Sequence, residues 1–217
     1  MKTKHVILVL SLVIFNSCIV KSLNPFYTKD TIEFTKDFVG EWKDNYNDTW
    51  KIVDAKLVIS EENKDASEET KKQNDLLSKE YRNSYFVEYK TKKQTSIFLA
   101  TPFKINNQYF LDFIPFDNEK GNLSRLLKYH IVYTHSLVKL DILDNGNVSI
   151  KWFDEKRLKD LFEKQKIKIK HKKIGILKDD ILLTATSEEL QQFLKKYMVS
   201  SSAKKWETET KFTLKKS

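Results

Sequence analysis

The segment NSYFVEYKTKKQTSIFLATPFKINNQYFLDFIPF, residues 83–116, carries the strongest structural signal in the chain. It contains three runs rich in aromatic and β-branched residues, which are typical of β-strands. Two short polar connectors separate the runs, and connectors of this length are typical of β-hairpins. The predicted strands are 83–91, 95–105 and 108–116, joined by 92–94 and 106–107. The segment therefore predicts an antiparallel meander.

Further strands are predicted on both sides of this meander, from alternating or short apolar runs bounded by turn residues. They are 49–59, 126–143, 148–153, 166–170, 181–185 and 206–214. Within 166–170, Ile167 and Ile169 are expected to point inward. Eight or more short strands with few long helices favour a barrel or a strongly bent sheet.

Two helices are expected to interrupt the strands. Asp154 is placed to cap a helix that starts at residue 155. Thr186 and Glu189 form a capping box at the start of a second helix with a clear apolar stripe. The highly charged insert 61–82 is either a solvated helix or a mobile loop, because its apolar residues are too few to form a buried face. The predicted fold is thus mainly β with two helices (α+β), a meander closing into a barrel on which the helix of the C-terminal region packs.

The N-terminus has the pattern of a secretory signal. Lys2 and Lys4 precede a mostly apolar stretch, Val6 to Phe15, which is too short to span a bilayer as a helix. The single cysteine of the chain, Cys18, follows directly after Asn16 and Ser17. The predicted organisation is a signal peptide at 1–17, a tether at 18–34 and one barrel-like domain at 35–217 that carries the charged insert 61–82.

The stretch from Phe15 to Cys18 resembles a bacterial lipobox, in which the cysteine thiol is acylated. This resemblance implies lipidation at Cys18, and the alternatives are a plain secreted protein or an uncleaved anchor. Ile19 after the cysteine implies an outer-membrane location, with the periplasmic face favoured over the surface.

Four short motifs resemble a group of uncharacterised Bacteroidota lipoproteins: NPFY at 24–27, Gly40-Glu41-Trp42 with Trp50, the segment 109–115, and the segment 182–190. Gly40-x-Trp42 is also similar to the lipocalin-like pattern, in which the tryptophan plugs the barrel base. The resemblance implies a lipocalin-like β-barrel without known catalytic residues. Trp42, Trp50, Phe110 and Asp112 are the candidate base or core residues.

The formal net charge of +9 fits either an anionic partner or, as favoured here, a Lys-rich composition in which Lys and Glu are interleaved over much of the chain. Nucleic acid is not expected as a partner of an envelope protein. The basic residues cluster in 156–173, which has only two acids. Either this cluster is a solvated face or it contacts an anionic surface such as phospholipid headgroups. Its members are Lys156, Arg157, Lys159, Lys164, Lys166, Lys168, Lys170, Lys172 and Lys173.

No catalytic, metal or cofactor site is predicted. His130 and His135 are expected on opposite sides of one strand, so they would not share a metal ion. Asp112 lies among apolar neighbours and is interpreted as a hydrogen-bonded structural carboxylate in preference to a catalytic acid.

The sequence therefore favours a lipid-anchored, non-enzymatic envelope protein that acts as a binding or accessory domain. Its expected partners are the membrane, through the N-terminal lipid, and either envelope proteins or an apolar small molecule. The alternative function is a lipocalin-like carrier of an apolar small molecule or lipid. The aromatic residues either fill the barrel or line a cavity.

Overall fold

The computed structural model describes residues 19–116, 124, 126, 129–201 and 205–217. Within these residues there are eleven strands and four α-helices. The strands are β1 (Lys21–Ser22), β2 (Gly40–Lys43), β3 (Thr49–Asp54), β4 (Tyr85–Lys90), β5 (Thr95–Ile105), β6 (Gln108–Pro115), β7 (His135–Ile142), β8 (Val148–Trp152), β9 (His171–Ile174), β10 (Asp180–Leu183) and β11 (Lys211–Lys216). The helices are α1 (Ala55–Glu62), α2 (Glu68–Tyr81), α3 (Glu155–Glu163) and α4 (Ser187–Val199), and short 3-10 helices span Lys29–Thr31 and Lys36–Phe38.

Eight strands close into an antiparallel barrel. Strands β2 to β8 pair in chain order, and β11 lies between β8 and β2 to complete the ring. The barrel and the α+β class are therefore confirmed. Beside the barrel, β1 pairs antiparallel with the first residues of β7 and parallel with β10. Strand β9 pairs with β10 and forms the outer edge.

The strand alternation predicted for residues 83–116 divides the core into two layers. Leu111 and Phe113 belong to a cluster to which all eight barrel strands contribute, so this cluster is the barrel interior. The neighbouring Phe110 belongs to a second cluster with α3 and α4, which pack on the outside of the barrel. The expected packing of the C-terminal-region helix on the barrel is thus confirmed, since Leu190 and Leu194 of α4 are fully buried there.

Both predicted helices start where expected. The Asp154 side chain accepts a hydrogen bond from the Arg157 amide at 3.0 Å. The Thr186 hydroxyl accepts from the Glu189 amide at 3.3 Å, and the Glu189 carboxylate accepts from the Thr186 amide at 2.9 Å. These bonds satisfy amides that a helix start leaves without intrahelical partners.

The prediction of one strand over residues 49–59 is wrong after Asp54. Helix α1 begins at Ala55, because the Asp54 carboxylate caps it by accepting from the Lys56 amide at 2.9 Å. Ala55 and Ile59, four residues apart, are buried on one face of this helix. The insert 61–82 is mainly helical, since α2 occupies 68–81, so the described chain has two helices more than predicted.

Three other predicted strands differ from the structure. Strand β11 spans Lys211–Lys216, so the strand predicted at 206–214 starts five residues too early. Strand β7 begins only at His135, so the predicted strand 126–143 is shorter than expected and His130 lies in a turn before it. Residues 166–170 are not part of a strand, although Ile167 and Ile169 are half-buried and Lys166, Lys168 and Lys170 are exposed, as the alternation predicts. The strand that pairs with β10 is β9, which follows these residues in the chain.

The predicted tether, 18–34, is part of the folded unit from Ile19 onward. Val20 and Phe26 are fully buried in the second cluster, which lies outside the barrel and is here called the outer core. The Val20 amide donates to the Phe153 carbonyl at 3.0 Å, and Ile19 forms a β-bridge with Asp154. The described part of this segment therefore packs against the barrel over most of its length.

Candidate functional site

One end of the barrel, here called the base, is covered by residues 35–39 as the chain enters β2. The 3-10 helix Lys36–Phe38 lies across this end. The Trp42 indole N–H donates to the Phe38 carbonyl at 3.0 Å, and the Tyr85 hydroxyl donates to the Thr35 carbonyl at 2.7 Å. Two buried aromatic side chains thus hold the covering segment in place.

A cavity of about 270 Å³ lies beneath this segment. We call it the base cavity. Its walls come from the ends of β2, β4, β5, β6, β7 and β8, and they are mainly apolar. The lining residues are Thr35, Asp37, Phe38, Trp42, Tyr85, Pro102, Tyr109, Phe110, Leu111, Leu140, Ile142, Gly146 and Val148.

The polar groups of the base cavity are few and lie mostly at its edge. Burial raises the pKa of the Tyr85 phenol to about 12, so this hydroxyl stays uncharged well above neutral pH. The charged lining residue is Asp37, which is exposed and whose carboxylate accepts from the Thr35 hydroxyl at 3.1 Å. The Tyr109 hydroxyl donates to the carboxylate of Glu33, which does not line the cavity, at 2.8 Å. The rest of the lining is uncharged, so the cavity suits an uncharged, largely apolar molecule.

The opposite half of the barrel is filled by aromatic side chains. The Trp50 ring lies 4.5 Å from the Tyr89 ring and 5.2 Å from the Phe212 ring, between centroids. Trp152 and Phe113 continue the cluster, with centroids 5.2 Å apart. The barrel is therefore filled at one half and hollow at the base.

Asp112 is fully buried outside the barrel wall, and both of its carboxylate oxygens are hydrogen-bonded. One oxygen lies 2.6 Å from Nδ1 of His135, and the other accepts from the Phe26 amide at 2.7 Å. Burial raises the pKa of the Asp112 carboxyl above its ordinary value, and the contact with His135 opposes that shift. Ser22 is the cross-strand neighbour of His135 and is fully buried, with its hydroxyl accepting from the Asn24 amide at 3.2 Å. This arrangement joins β6, β7 and the N-terminal segment, as expected for a structural carboxylate.

The other candidate core residues are also buried. Trp42 lies at the base, as the Gly40-x-Trp42 pattern implies, whereas Trp50 lies in the aromatic half. The Trp50 indole N–H donates to Asp44 at 3.0 Å across the β2–β3 turn. Phe110 stacks on Phe103 in the outer core, with centroids 5.4 Å apart.

The predicted basic cluster is divided between two surfaces. Arg157, Lys166, Lys168 and Lys170 line a groove between α3 and α4, whereas the other five basic residues lie outside it. Some of the charges are neutralised locally: Lys159 pairs with Glu155 at 3.0 Å and Lys170 with Glu189 at 2.8 Å. The lipidation candidate, Cys18, is outside the described residues.

Two parts of the site have weak sequence signals. The sequence of the covering segment, residues 35–39, predicts only a connector. Its position over the base depends on a hydrogen bond between Thr35 and Tyr85, which are fifty residues apart. The partnership of Asp112 with His135 depends on the pairing of β6 with β7, which the local sequence does not specify. The dipeptide Asn106-Asn107, by contrast, marks the base turn between β5 and β6 directly, with Asn106 at φ 54°.

Comparison with known proteins finds no matching family model, no similar curated protein and no similar solved structure. Across the described ranges, no group of three or more His, Cys, Asp or Glu side chains is placed to hold a metal ion. Among the helices that the structure describes, none has the length and apolar character needed to cross a membrane.

Proposed function

We propose that this protein is a lipid-anchored, non-enzymatic binding domain of the bacterial cell envelope that carries a small apolar molecule in the base cavity. The base cavity is the observation that carries this proposal. It favours the carrier function over an accessory subunit that binds only through its surface.

The size and lining of the base cavity support a small ligand. Its volume of about 270 Å³ is close to the lower limit of about 300 Å³ for typical small-molecule pockets. Trp42, Phe38 and Leu111 provide apolar contact area, and the Tyr85 hydroxyl is already bonded to the Thr35 backbone. Affinity would therefore come from burial of apolar surface at about 25 cal/mol per Å².

The anchor is proposed from the N-terminal sequence. An acylated Cys18 would join the domain at Ile19, whose backbone forms a bridge with Asp154. A single acyl chain binds a membrane only marginally, so several chains on this cysteine would be needed for stable attachment. The outer membrane, at its periplasmic face, is the proposed location.

The carrier function is tested with N-phenyl-1-naphthylamine, an uncharged apolar probe whose fluorescence increases in apolar sites. We expect one probe per full-length protein molecule. Ile142→Trp should lower the probe affinity at least tenfold, because Ile142 lines the base cavity and is 58% exposed, so the larger ring can cover the opening without disturbing the core.

The matched control is Leu76→Trp on α2, which is 70% exposed and does not line the cavity. It should bind the probe as the unmodified protein does. Equal probe affinity in both variants would place the probe elsewhere and contradict the carrier proposal. The anchor is tested separately by mass spectrometry of the protein purified from its native membranes, where an unmodified cysteine thiol would contradict lipidation at Cys18.

A further inference from the structure

A second concave surface lies outside the barrel, between α3, residues 166–170 and α4. We call it the α3–α4 groove. It encloses about 1270 Å³ and opens to solvent along its length. It shares no lining residue with the base cavity.

The floor of the α3–α4 groove is apolar. Leu161 of α3 and Phe193 and Tyr197 of α4 are buried beneath it. Ile167 and Ile169 lie along one side and remain half-exposed. Apolar side chains along a groove of this size form a surface that can cover a hydrocarbon chain.

The rim of the groove is cationic. Five basic residues line it, Arg157, Lys166, Lys168, Lys170 and Lys196, against a single acid, Glu189. Arg157 and Lys170 already have acidic partners, Asp160 at 3.0 Å and Glu189 at 2.8 Å.

Three of the rim lysines keep their charge available. Lys166, Lys168 and Lys196 are exposed and form no ion pair among the described residues. Along 166–170, Lys166 and Lys168 are exposed whereas Ile167 and Ile169 are half-buried, and all four line the groove. The segment therefore offers both charge and apolar surface to a molecule bound there.

We propose that the α3–α4 groove binds an anionic lipid with a single acyl chain, the chain lying on the apolar floor and the anionic headgroup at the lysine rim. Charge complementarity identifies this occupant. A neutral lipid would leave the rim lysines without partners, and a free inorganic anion would leave the apolar floor exposed to water. The proposal is independent of the base cavity and of the N-terminal anchor.

Two kinds of interaction with different signatures contribute to the binding. Contact of the headgroup with Lys166, Lys168 and Lys196 is electrostatic, so it weakens as salt screens it over about 8 Å at physiological ionic strength. Contact of the chain with the floor follows the number of buried methylenes, and each methylene increases affinity about fourfold. Shortening the chain by two methylenes should therefore weaken binding about 15-fold.

The probe is dodecyl phosphate, titrated by calorimetry below its micelle concentration into the full-length protein. We expect one molecule bound per protein. Decyl phosphate should bind about 15-fold more weakly, from the methylene increment. Dodecyl maltoside, with the same chain and a neutral head, and inorganic phosphate, with no chain, should each bind at least tenfold more weakly than dodecyl phosphate.

The variant Lys166→Glu/Lys168→Glu/Lys196→Glu should weaken dodecyl phosphate binding at least tenfold. The matched control changes three exposed lysines of the same basic stretch that do not line the groove, Lys156→Glu/Lys172→Glu/Lys173→Glu. It has the same net charge as the first variant and should bind within threefold of the unmodified protein.

Several results would overturn the proposal. Equal weakening by the two triple variants would show a diffuse effect of net charge. If dodecyl maltoside bound as tightly as dodecyl phosphate, the rim lysines would have no role in binding. If affinity did not depend on chain length, the apolar floor would have none. Loss of dodecyl phosphate binding in Ile142→Trp but not in the groove variant would place the chain in the base cavity. Binding only to vesicles of anionic phospholipid would indicate a membrane surface in place of the groove.

Discussion

Replacement of Asp112 by alanine is expected to be among the most destabilising changes of a polar side chain in this protein. Asp112 is fully buried, and it is the acceptor for the Phe26 amide at 2.7 Å and the partner of His135 at 2.6 Å. Phe26 is fully buried and His135 nearly so. Removal of the carboxylate therefore leaves two buried polar groups without partners.

The size of the effect follows from these two groups. A buried donor or acceptor left without a partner costs about 1–3 kcal/mol, so the two together cost about 4 kcal/mol. This agrees with the roughly 3–5 kcal/mol measured when one member of a buried pair is removed. Asp112→Asn keeps one acceptor oxygen and one polar contact, so its loss should be about half as large, or roughly 2 kcal/mol.

The assay is urea unfolding followed by tryptophan fluorescence, with thermal unfolding in parallel. For a chain of this length, about 4 kcal/mol corresponds to a decrease in Tm of roughly 10 °C. Asp141→Ala is the matched control, since Asp141 also lies on a barrel strand and pairs with Lys139 at 2.6 Å, but partly in solvent. Its loss should stay below about 1 kcal/mol.

Two results would refute this reasoning. A loss of under about 1 kcal/mol in Asp112→Ala would mean that water or a rearranged N-terminal segment satisfies Phe26 and His135. Equal losses in the alanine and asparagine variants would mean that the effect arises from changed packing and not from the hydrogen bonds.

Three further predictions concern the base and the helix start. Because burial raises the pKa of Tyr85 to about 12, the folded protein keeps the phenol proton above pH 10, where the unfolded chain loses it. The difference in unfolding free energy between the unmodified protein and Tyr85→Phe should therefore be constant below pH 10 and shift by about 1.4 kcal/mol against the unmodified protein at pH 11. Urea unfolding at both pH values measures this difference, and an unchanged difference would exclude the pKa shift. Gly40 has φ 142°, so Gly40→Ala should cost about 1–3 kcal/mol in the same assay. Gly146→Ala is the comparison that separates strain from crowding, because Gly146 also has a positive φ but an added Cβ would meet no atom within 4 Å, whereas at Gly40 it would lie 3.4 Å from the Lys216 side chain. Thr186→Ala removes a helix cap and should lower the unfolding free energy by about 1 kcal/mol, an effect that Thr186→Ser should largely avoid.

Those parts of the fold that depend on local chemistry can be predicted from the sequence. Alternation in 83–116 and the connectors at 92–94 and 106–107 determined the hairpins, because strand side chains alternate between faces and short polar connectors reverse the chain. Asp154 and Thr186 determined the helix starts, since a cap needs only a side chain within three residues.

Local signals were insufficient where tertiary packing selected the conformation. The run Leu57-Val58-Ile59 has high β-propensity, yet it is helical because Ala55 and Ile59 bury one helical face at the barrel base. Residues 166–170 alternate like a strand, yet the strand begins only at His171, because its partner β10 ends at Leu183, the residue that pairs with His171.

The positions of the candidate sites depend on contacts between residues far apart in the sequence. The partnership of Asp112 with His135 and the bond between Tyr85 and Thr35 join residues 23 and 50 positions apart, so both depend on barrel closure. The base cavity needs the ends of six strands, and the α3–α4 groove needs two helices separated by β9 and β10. The sequence supplied the basic and aromatic residues, but their division between core, cavity and groove is set by long-range packing, which no local pattern encodes.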